Sequence, residues 1–338
     1  MRLYAGIDLH ANTNYLGIVG EDNKIVFKRK LTNDLRGIVA ALEPFREQIE
    51  GVVVESTFNW YWLVDGLMDH GYRVHLANPA AIQQYEGLKH VDDQRDALWL
   101  ANLLRLGILP EGYIYPKQDR PVRDLLRKRL QLVRHRTSHI LSIQNIVSRS
   151  FGLRMRGNDV KRLDEQWVRD LFEEEHLFLA VNTSVGVMRY LGERIKHIEA
   201  VVKSRVKLRR EFDGLLTLPG VGDILGLTIM LEVGDIGRFA GVGNYSSYCR
   251  CVRSTRISAG KSKGEGNRKN GNKYLSWAYV EAANFAIRNY PLVQRYYQRK
   301  AAKTNGVVAV KAISHKLSRA SYYIMRDQVL YDPNKLFH

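Results

Sequence analysis

Residues 3–55 constrain the fold more than any other part of the chain. Three short apolar runs, "LYAGIDLH", "YLGIV" and "KIVFKRK", are separated by the turn segments "ANTN" and "GEDN". Strands joined by connections that short close as an antiparallel meander. A helix opened by Asp34 and running to about Gln48 comes next, and then "GVVVES". An uninterrupted β-branched run of that kind is a strand buried on both faces, so helices must cover both sides of its sheet. The sequence supplies them. One helix runs from about Tyr61 to His70 and is stopped by Gly71. The strand "YRVHLAN" ends at Asn78-Pro79, and a further helix reaches about Leu106. The order βββαβαβα predicts a mixed sheet with helices on its faces.

Acids stand where this sheet can least accommodate them. Asp8 lies in the middle of the first apolar strand, and Glu55 ends the buried one. A carboxylate inside an apolar strand is costly without a partner, and acids at the ends of adjacent strands can converge above a sheet. The stretch "HVDDQRDALWLA" at 90–101 adds Asp92, Asp93 and Asp96 at the mouth of a helix. Taken alone, these three fit the favourable end of the helix dipole. Asp93 and Asp96, three apart, share one face of a turn. With Asp8 and Glu55 they make four acids that repel one another unless a cation neutralises them. A carboxylate set suits Mg²⁺ or Mn²⁺, and two such ions about 4 Å apart can serve phosphodiester chemistry. A strand-turn-strand around an aspartate also opens sugar kinases and related ATPases, but their glycine-rich phosphate loops have no counterpart here.

Beyond residue 116 the character changes. Lys117 to Arg136 holds eight Lys or Arg against two Asp. Leu126, Leu130, Val133, Thr137, Ile140, Gln144 and Val147 step by four and three, as do Met188, Leu191, Ile195, Ile198 and Val202. Two such seams predict an antiparallel coiled-coil arm over 117–210, with the polar region 152–180 at its distal end. From 211 to 338 a mainly helical domain follows. Its "LPGVG" segment is similar to a helix-hairpin-helix turn. Its loop "RSTRISAGKSKGEGNRKNGNKYL" is rich in glycine and lysine, and helices follow at "YLSWAYVEAANFAIR" and about 307–328. Lys and Arg number 52 against 35 Asp and Glu, a net charge of +17, which points to a polyanionic partner. Arg123, Arg127, Lys128 and Arg134 in the first basic stretch, and Arg253, Arg256, Lys261, Lys263, Arg268 and Lys269 in the loop, are the candidate phosphate contacts. No stretch reaches the ~20 apolar residues of a membrane span, and the N-terminus lacks a signal-peptide core. Cys249 and Cys251, two apart, do not form a disulfide framework and read as structural in a reducing cytoplasm.

Together "GIDLH", "VVVES", "DQRDALWLA", "LPGVGDILGLTI" and "ISAGKSKGEGNRKNGNKYL" identify a resemblance that spans nearly the whole chain. It is similar to the DEDD transposases of bacterial insertion sequences, the insertion-sequence one-ten family, and more closely to the eleven-eleven group. These are recombinases guided by a structured non-coding bridge or seek RNA. The resemblance implies a RuvC-like domain of RNase H fold (1–116), a coiled-coil arm (117–210) and a helical transposase domain (211–338). It places Asp8, Glu55, Asp93 and Asp96 on the four metal-binding acids, with Asp93 rather than Asp92 at the matching distance from Asp96. It places Ser258 on the nucleophilic serine. It further implies Mg²⁺ or Mn²⁺, donor and target DNA, a guide RNA, and a homo-oligomer (dimer or tetramer) in which one subunit's serine completes another's acidic site. The setting would be the nucleoid of a bacterial cytoplasm. Two other readings stay open. A Holliday-junction endonuclease would use the same acids with water in place of Ser258, and a non-catalytic nucleic-acid-binding protein would use the acids as helix caps.

Overall fold

The meander forms as β1 (Leu3–Leu9), β2 (Thr13–Gly20) and β3 (Ile25–Thr32), with β1 antiparallel to β2 and β2 to β3. β4 (Ile49–Glu55) lies parallel to β1 on its other side, and β5 (Val74–Ala77) parallel to β4. The five-stranded mixed sheet therefore has the order β3-β2-β1-β4-β5. α1 (Leu35–Leu42) is capped by Asp34, whose carboxylate accepts from the Gly37 amide at 2.8 Å. It stops short of the expected Gln48 because Pro44 lacks the amide that would continue it, and a 3₁₀ turn carries the chain over Glu43–Gln48. α2 (Tyr61–Asp69) and α3 (Asp93–Arg105) complete this part of the chain.

Strand periodicity assigns the faces. Leu3, Ala5, Ile7 and Leu9 of β1, with Val52 and Val54 of β4, pack with Ile38 of α1 and Leu63 and Leu67 of α2. The alternate residues face α3, since Val53 packs with Leu100. Val52, Val53 and Val54 are all fully buried, as a β-branched run between two helical layers must be. α3 lies close on the sheet because Gly6 and Gly17 leave room for it. A Cβ on Gly6 would stand 2.1 Å from the Ala97 carbonyl oxygen, and one on Gly17 would stand 2.8 Å from Leu98.

The computed structural model describes residues 1–82, 93–205, 210–252, 257–264 and 270–337. These form two compact units, Met1–Lys117 and Gln118–His338. The first is compatible with an RNase H-like α/β fold.

The second unit is built on two long helices, α4 (Arg120–Phe151) and α7 (Glu175–Arg205). Arg129 pairs with Glu199, while Ile140, Ile143 and Val147 pack with Met188, Val185 and Val181, so the two run antiparallel. Gly152, in the left-handed region at φ 67°, ends α4. The region expected to be polar holds α5 (Gly157–Val160) and α6 (Glu165–Leu171). Their Val160, Leu163, Val168 and Phe172 bury against the helical pair. At the other end of the pair, Leu126 and Val202 belong to the core made by α8 (Arg210–Leu216), α9 (Asp223–Val233), α10 (Val242–Tyr248), α11 (Lys273–Asn289), α12 (Pro291–Lys303) and α13 (Gly306–Asp327). α9 is buried on every side from Leu225 to Val233. Cys249 and Cys251 are buried free thiols, and burial pushes that of Cys251 up to about 11.

Candidate functional site

Strand register brings two of the four predicted acids together. Ile7 pairs with Val54 across β1 and β4. One residue further along each strand stand Asp8 and Glu55, and alternation turns both toward α3. Asp8 lies near the C-terminal end of its strand rather than in the middle, and is 4% exposed. Glu55 is half-buried and hydrogen-bonded to Asp8. Burial, that hydrogen bond, and the charges of Asp8 and then Asp96 hold the Glu55 carboxyl protonated, up to about 8. Two carboxyl groups this close cannot both ionise unaided.

Asp96 enters from the first turn of α3, close enough for its charge to act on Glu55. Glu55 and Asp96 line a cavity of about 240 Å³ with Pro79, Ile82, Trp99 and Leu100. Asp93 begins α3, but its side chain lies outside the described residues, as does Asp92. Among the described residues no three His, Cys, Asp or Glu side chains gather closely enough to hold an ion. The donor chemistry nonetheless fits a hard divalent cation: the buried Asp8 and half-buried Glu55 carboxyl groups are hydrogen-bonded to one another, and Glu55 holds a proton that a cation would displace.

His10 is a neighbour of this site that the sequence reading left unused. Its Nε2 lies 3.1 Å from an Asp8 carboxylate oxygen. The backbone there is pinned from both sides, since Asn33 and Asn59 each donate an amide hydrogen bond to the His10 carbonyl, at 2.9 and 3.1 Å. The signal was period two, because a residue two beyond Asp8 points to the same side of the chain.

Ser258 lies in the second unit, in a hairpin rather than a loose loop. β6 (Ile257–Ser258) pairs with β7 (Lys261–Ser262), and Ser258 stands directly opposite Lys261. Ala259 and Gly260 between them have φ of 49° and 72°, the two left-handed residues of a type I′ turn. Residues directly opposite share a face, so the exposed Ser258 hydroxyl and the Lys261 ammonium project to the same side.

The predicted cations divide. Arg123 is 3% exposed. Arg127 clasps Glu232 of α9 with two hydrogen bonds of 2.6 and 2.7 Å, and its guanidinium lies over the Tyr274 ring. Glu232, 2% exposed, also accepts from Asn272 at 2.7 Å. Arg123 and Arg127 are thus built into the fold rather than offered to a partner. Lys128 and Arg134 are exposed, and with Lys273 they line a shallow groove of about 400 Å³. Lys261 and Lys263 are exposed on or beside the hairpin. Arg253, Arg256, Arg268 and Lys269 lie outside the described residues. No helix among the described residues is long and apolar enough to cross a membrane.

Comparison with known proteins covers both units. Residues 5–151 match a family model of DEDD transposases described as "Transposase", and residues 213–298 match one described as "Transposase IS116/IS110/IS902 family". The chain is 25% identical over 300 residues to the transposase for insertion sequence element IS1111A of Coxiella burnetii, covering 84% of this chain and 78% of that one. It is 20% identical over 390 residues to the insertion element IS116 44.8 kDa protein of Streptomyces clavuligerus, covering 98% and 96%. Over 158 residues it is 24% identical to the insertion element IS110 43.6 kDa protein of Streptomyces coelicolor, covering 46% and 39%.

Proposed function

This chain belongs to the IS110 family of DEDD transposases, proteins that cut and rejoin DNA, and on that premise we propose how its residues divide the work. Asp8, Glu55, Asp93 and Asp96 hold Mg²⁺ or Mn²⁺, and Ser258 is the nucleophile. The observation that carries this reading is the Asp8–Glu55 carboxyl pair at the ends of adjacent parallel strands, with Asp96 acting on it from α3. A bound divalent ion would polarise the scissile phosphate and stabilise the departing oxygen. The Ser258 oxygen attacks phosphorus, its proton passes to a carboxylate of the acid site, and the P–O bond to the DNA sugar breaks as that oxygen takes up a proton. The ester survives as a phosphoserine, so a second DNA hydroxyl can attack it and release the serine without ATP. Lys261, opposite Ser258, favours approach of the phosphate. The serine of one subunit would serve the acids of another, as a homo-oligomer allows. The +17 net charge and the exposed Lys128, Arg134, Lys261 and Lys263 support binding of donor and target DNA and of a structured guide RNA, chiefly through phosphates.

The test is covalent trapping on a nicked DNA substrate in Mg²⁺. Wild-type protein yields a protein–DNA adduct that survives denaturation and maps to Ser258. Ser258→Ala loses adduct and joining but keeps nucleic-acid binding, and Asp96→Asn loses cleavage. Cleavage and rejoining without any adduct would overturn the serine mechanism in favour of water, and wild-type cleavage by Asp96→Asn would overturn the acid site.

A further inference from the structure

A cavity of about 1120 Å³ in the second unit has no part in the chemistry above. One wall is a face of α4 bearing Arg129 and Arg136. The other is a face of α11, where Trp277, Glu281 and Phe285 follow one another at four-residue spacing. The floor is the "LPGVG" turn leading into α9. Gly220 of that turn, at φ 79°, packs on α11 so closely that a Cβ would stand 2.1 Å from the Ala282 carbonyl oxygen. Gly222 has open space beside it and caps α9 without a side-chain hydrogen bond. The first amides of α9 are thus left at the cavity floor.

The charges in this cleft are unevenly answered. Arg129 is held by Glu199 and Lys203 by Asp223, each at 2.6 Å. Arg136 has a buried Nε with no hydrogen-bond partner among the described residues. Burial and the neighbouring Arg129 cation lower its hold on its proton, a situation that a bound anion relieves. On the facing wall Phe285 is 45% exposed, and the Arg288 guanidinium lies over its ring, 4.8 Å from the centre.

We propose that this cleft seats an unpaired nucleotide of a nucleic-acid strand, its phosphate on Arg136 and the open amide end of α9, its base stacked on Phe285 and Trp277. An aromatic ring can take the flat face of a base only when that base is free of a duplex, and a cavity of this size suits one or a few nucleotides rather than a double helix. Glu281, between the two rings, is an acceptor that favours bases with an exocyclic amino group. The inference rests on the reading that this chain handles DNA and RNA, and it assigns that role a place separate from the acids and Ser258.

The experiment uses full-length protein and twelve-nucleotide strands carrying one 2-aminopurine, as DNA, as RNA, and as the corresponding DNA duplex. Binding is read by anisotropy of an end label and stacking by 2-aminopurine quenching. Single strands are expected to bind with quenching. Phe285→Ala should weaken single-strand binding about tenfold and abolish the quenching, with duplex affinity unchanged. Phe285→Tyr should restore both, and Arg136→Gln should weaken binding with quenching retained at saturation. Tighter binding of the RNA or of the DNA strand identifies which of the two supplies the nucleotide. Unquenched 2-aminopurine in the wild type, or equal losses for duplex and single strand in Phe285→Ala, overturns the proposal. Failure of the adduct experiment above leaves it standing, because these strands are read without cleavage.

Discussion

Gly6 is the residue on which the distance between Asp96 and the Asp8–Glu55 pair depends. α3 crosses β1 with the Ala97 carbonyl oxygen and the Ala101 amide directly over Gly6, where a Cβ would meet them at 2.1 and 2.7 Å. Real Cβ atoms essentially never come within 3.0 Å of such a neighbour, so Gly6→Ala must push α3 away by at least 3.0 less 2.1, about 0.9 Å. Both obstacles are backbone, so no side chain can swing aside, and trimming Ala97 to glycine gives no relief. Overpacking of this kind costs about 1–3 kcal/mol. In a unit of this size that lowers the melting temperature by roughly 4 °C per kcal/mol. The displacement carries Asp96 with it, and a misplacement near 1 Å in a catalytic group costs on the order of 10²-fold in rate. The expected result is a Gly6→Ala protein that folds, melts about 4–12 °C lower in its first unit, and cleaves its DNA substrate on the order of a hundredfold more slowly. Differential scanning calorimetry and a gel-based cleavage assay in Mg²⁺ measure the two effects. Gly186→Ala is the control: this α7 glycine has nothing within 4 Å, so alanine should leave stability unchanged or raise it by about 0.5–1 kcal/mol. Wild-type melting and cleavage in Gly6→Ala would show that α3 does not fix the acid site.

Three further outcomes follow from named contacts. Arg127→Ala leaves Glu232 buried without its cation and should cost about 3–5 kcal/mol, whereas Lys128→Ala, one residue along and exposed, should leave thermal stability unchanged and reduce the salt dependence of nucleic-acid binding by roughly one phosphate contact; equal melting temperatures for the two would refute the distinction. Glu55 keeps a proton up to about 8 in the metal-free fold, against an ordinary value of 4.5. Its contribution to stability is therefore fully present below pH 4.5 and is lost as pH rises through 8, by roughly 2 kcal/mol after discounting for a half-exposed group. Mg²⁺ should raise the melting temperature more at pH 8.5 than at pH 5.5, and a pH-independent Mg²⁺ effect would count against carboxylate ligation there. Gly260→Val places a β-branched residue at φ 72°, so it should disrupt the Ser258 hairpin and abolish joining while the melting curve stays within about 0.5 kcal/mol of wild type, and undiminished joining would show that the turn does not present the serine.

What the sequence made legible was whatever obeyed a local period. The meander and "VVVE" alternate or run unbroken, and they form β1 to β4, with β1, β2 and β4 buried and β3 largely exposed. The stepping seams predicted the antiparallel helices α4 and α7. Where the period was short or absent, the reading faltered. α5 and α6 hold only four and seven residues, too few to show a helical repeat, so a segment that buries Val160 and Phe172 read as a polar tip. α12 buries only Val293 and so displays no apolar stripe. The "SAGK" turn was obscured differently: Ala259 occupies the left-handed region, which alanine adopts reluctantly, and composition pointed to a loose loop.

The basic stretch of α4 is the most informative failure. Charge alone grouped Arg123, Arg127, Lys128 and Arg134 as surface cations, yet Arg123 is 3% exposed and Arg127 clasps Glu232 inside the fold. Lys128 and Arg134 are exposed, although Arg134 follows Leu130 by four and so shares its side of the helix. The reasoning applied to Asp8, that a charge among apolar residues must have a partner, extends unchanged to Glu232, an acid in the buried run of α9. The 105-residue separation of Glu232 from Arg127 hid the pairing from any local pattern, but the acid announced by its position that a partner of opposite sign existed. A buried partner of opposite sign, more than helix position or charge, therefore separates Arg127, which holds this fold together, from the exposed Lys128 and Arg134.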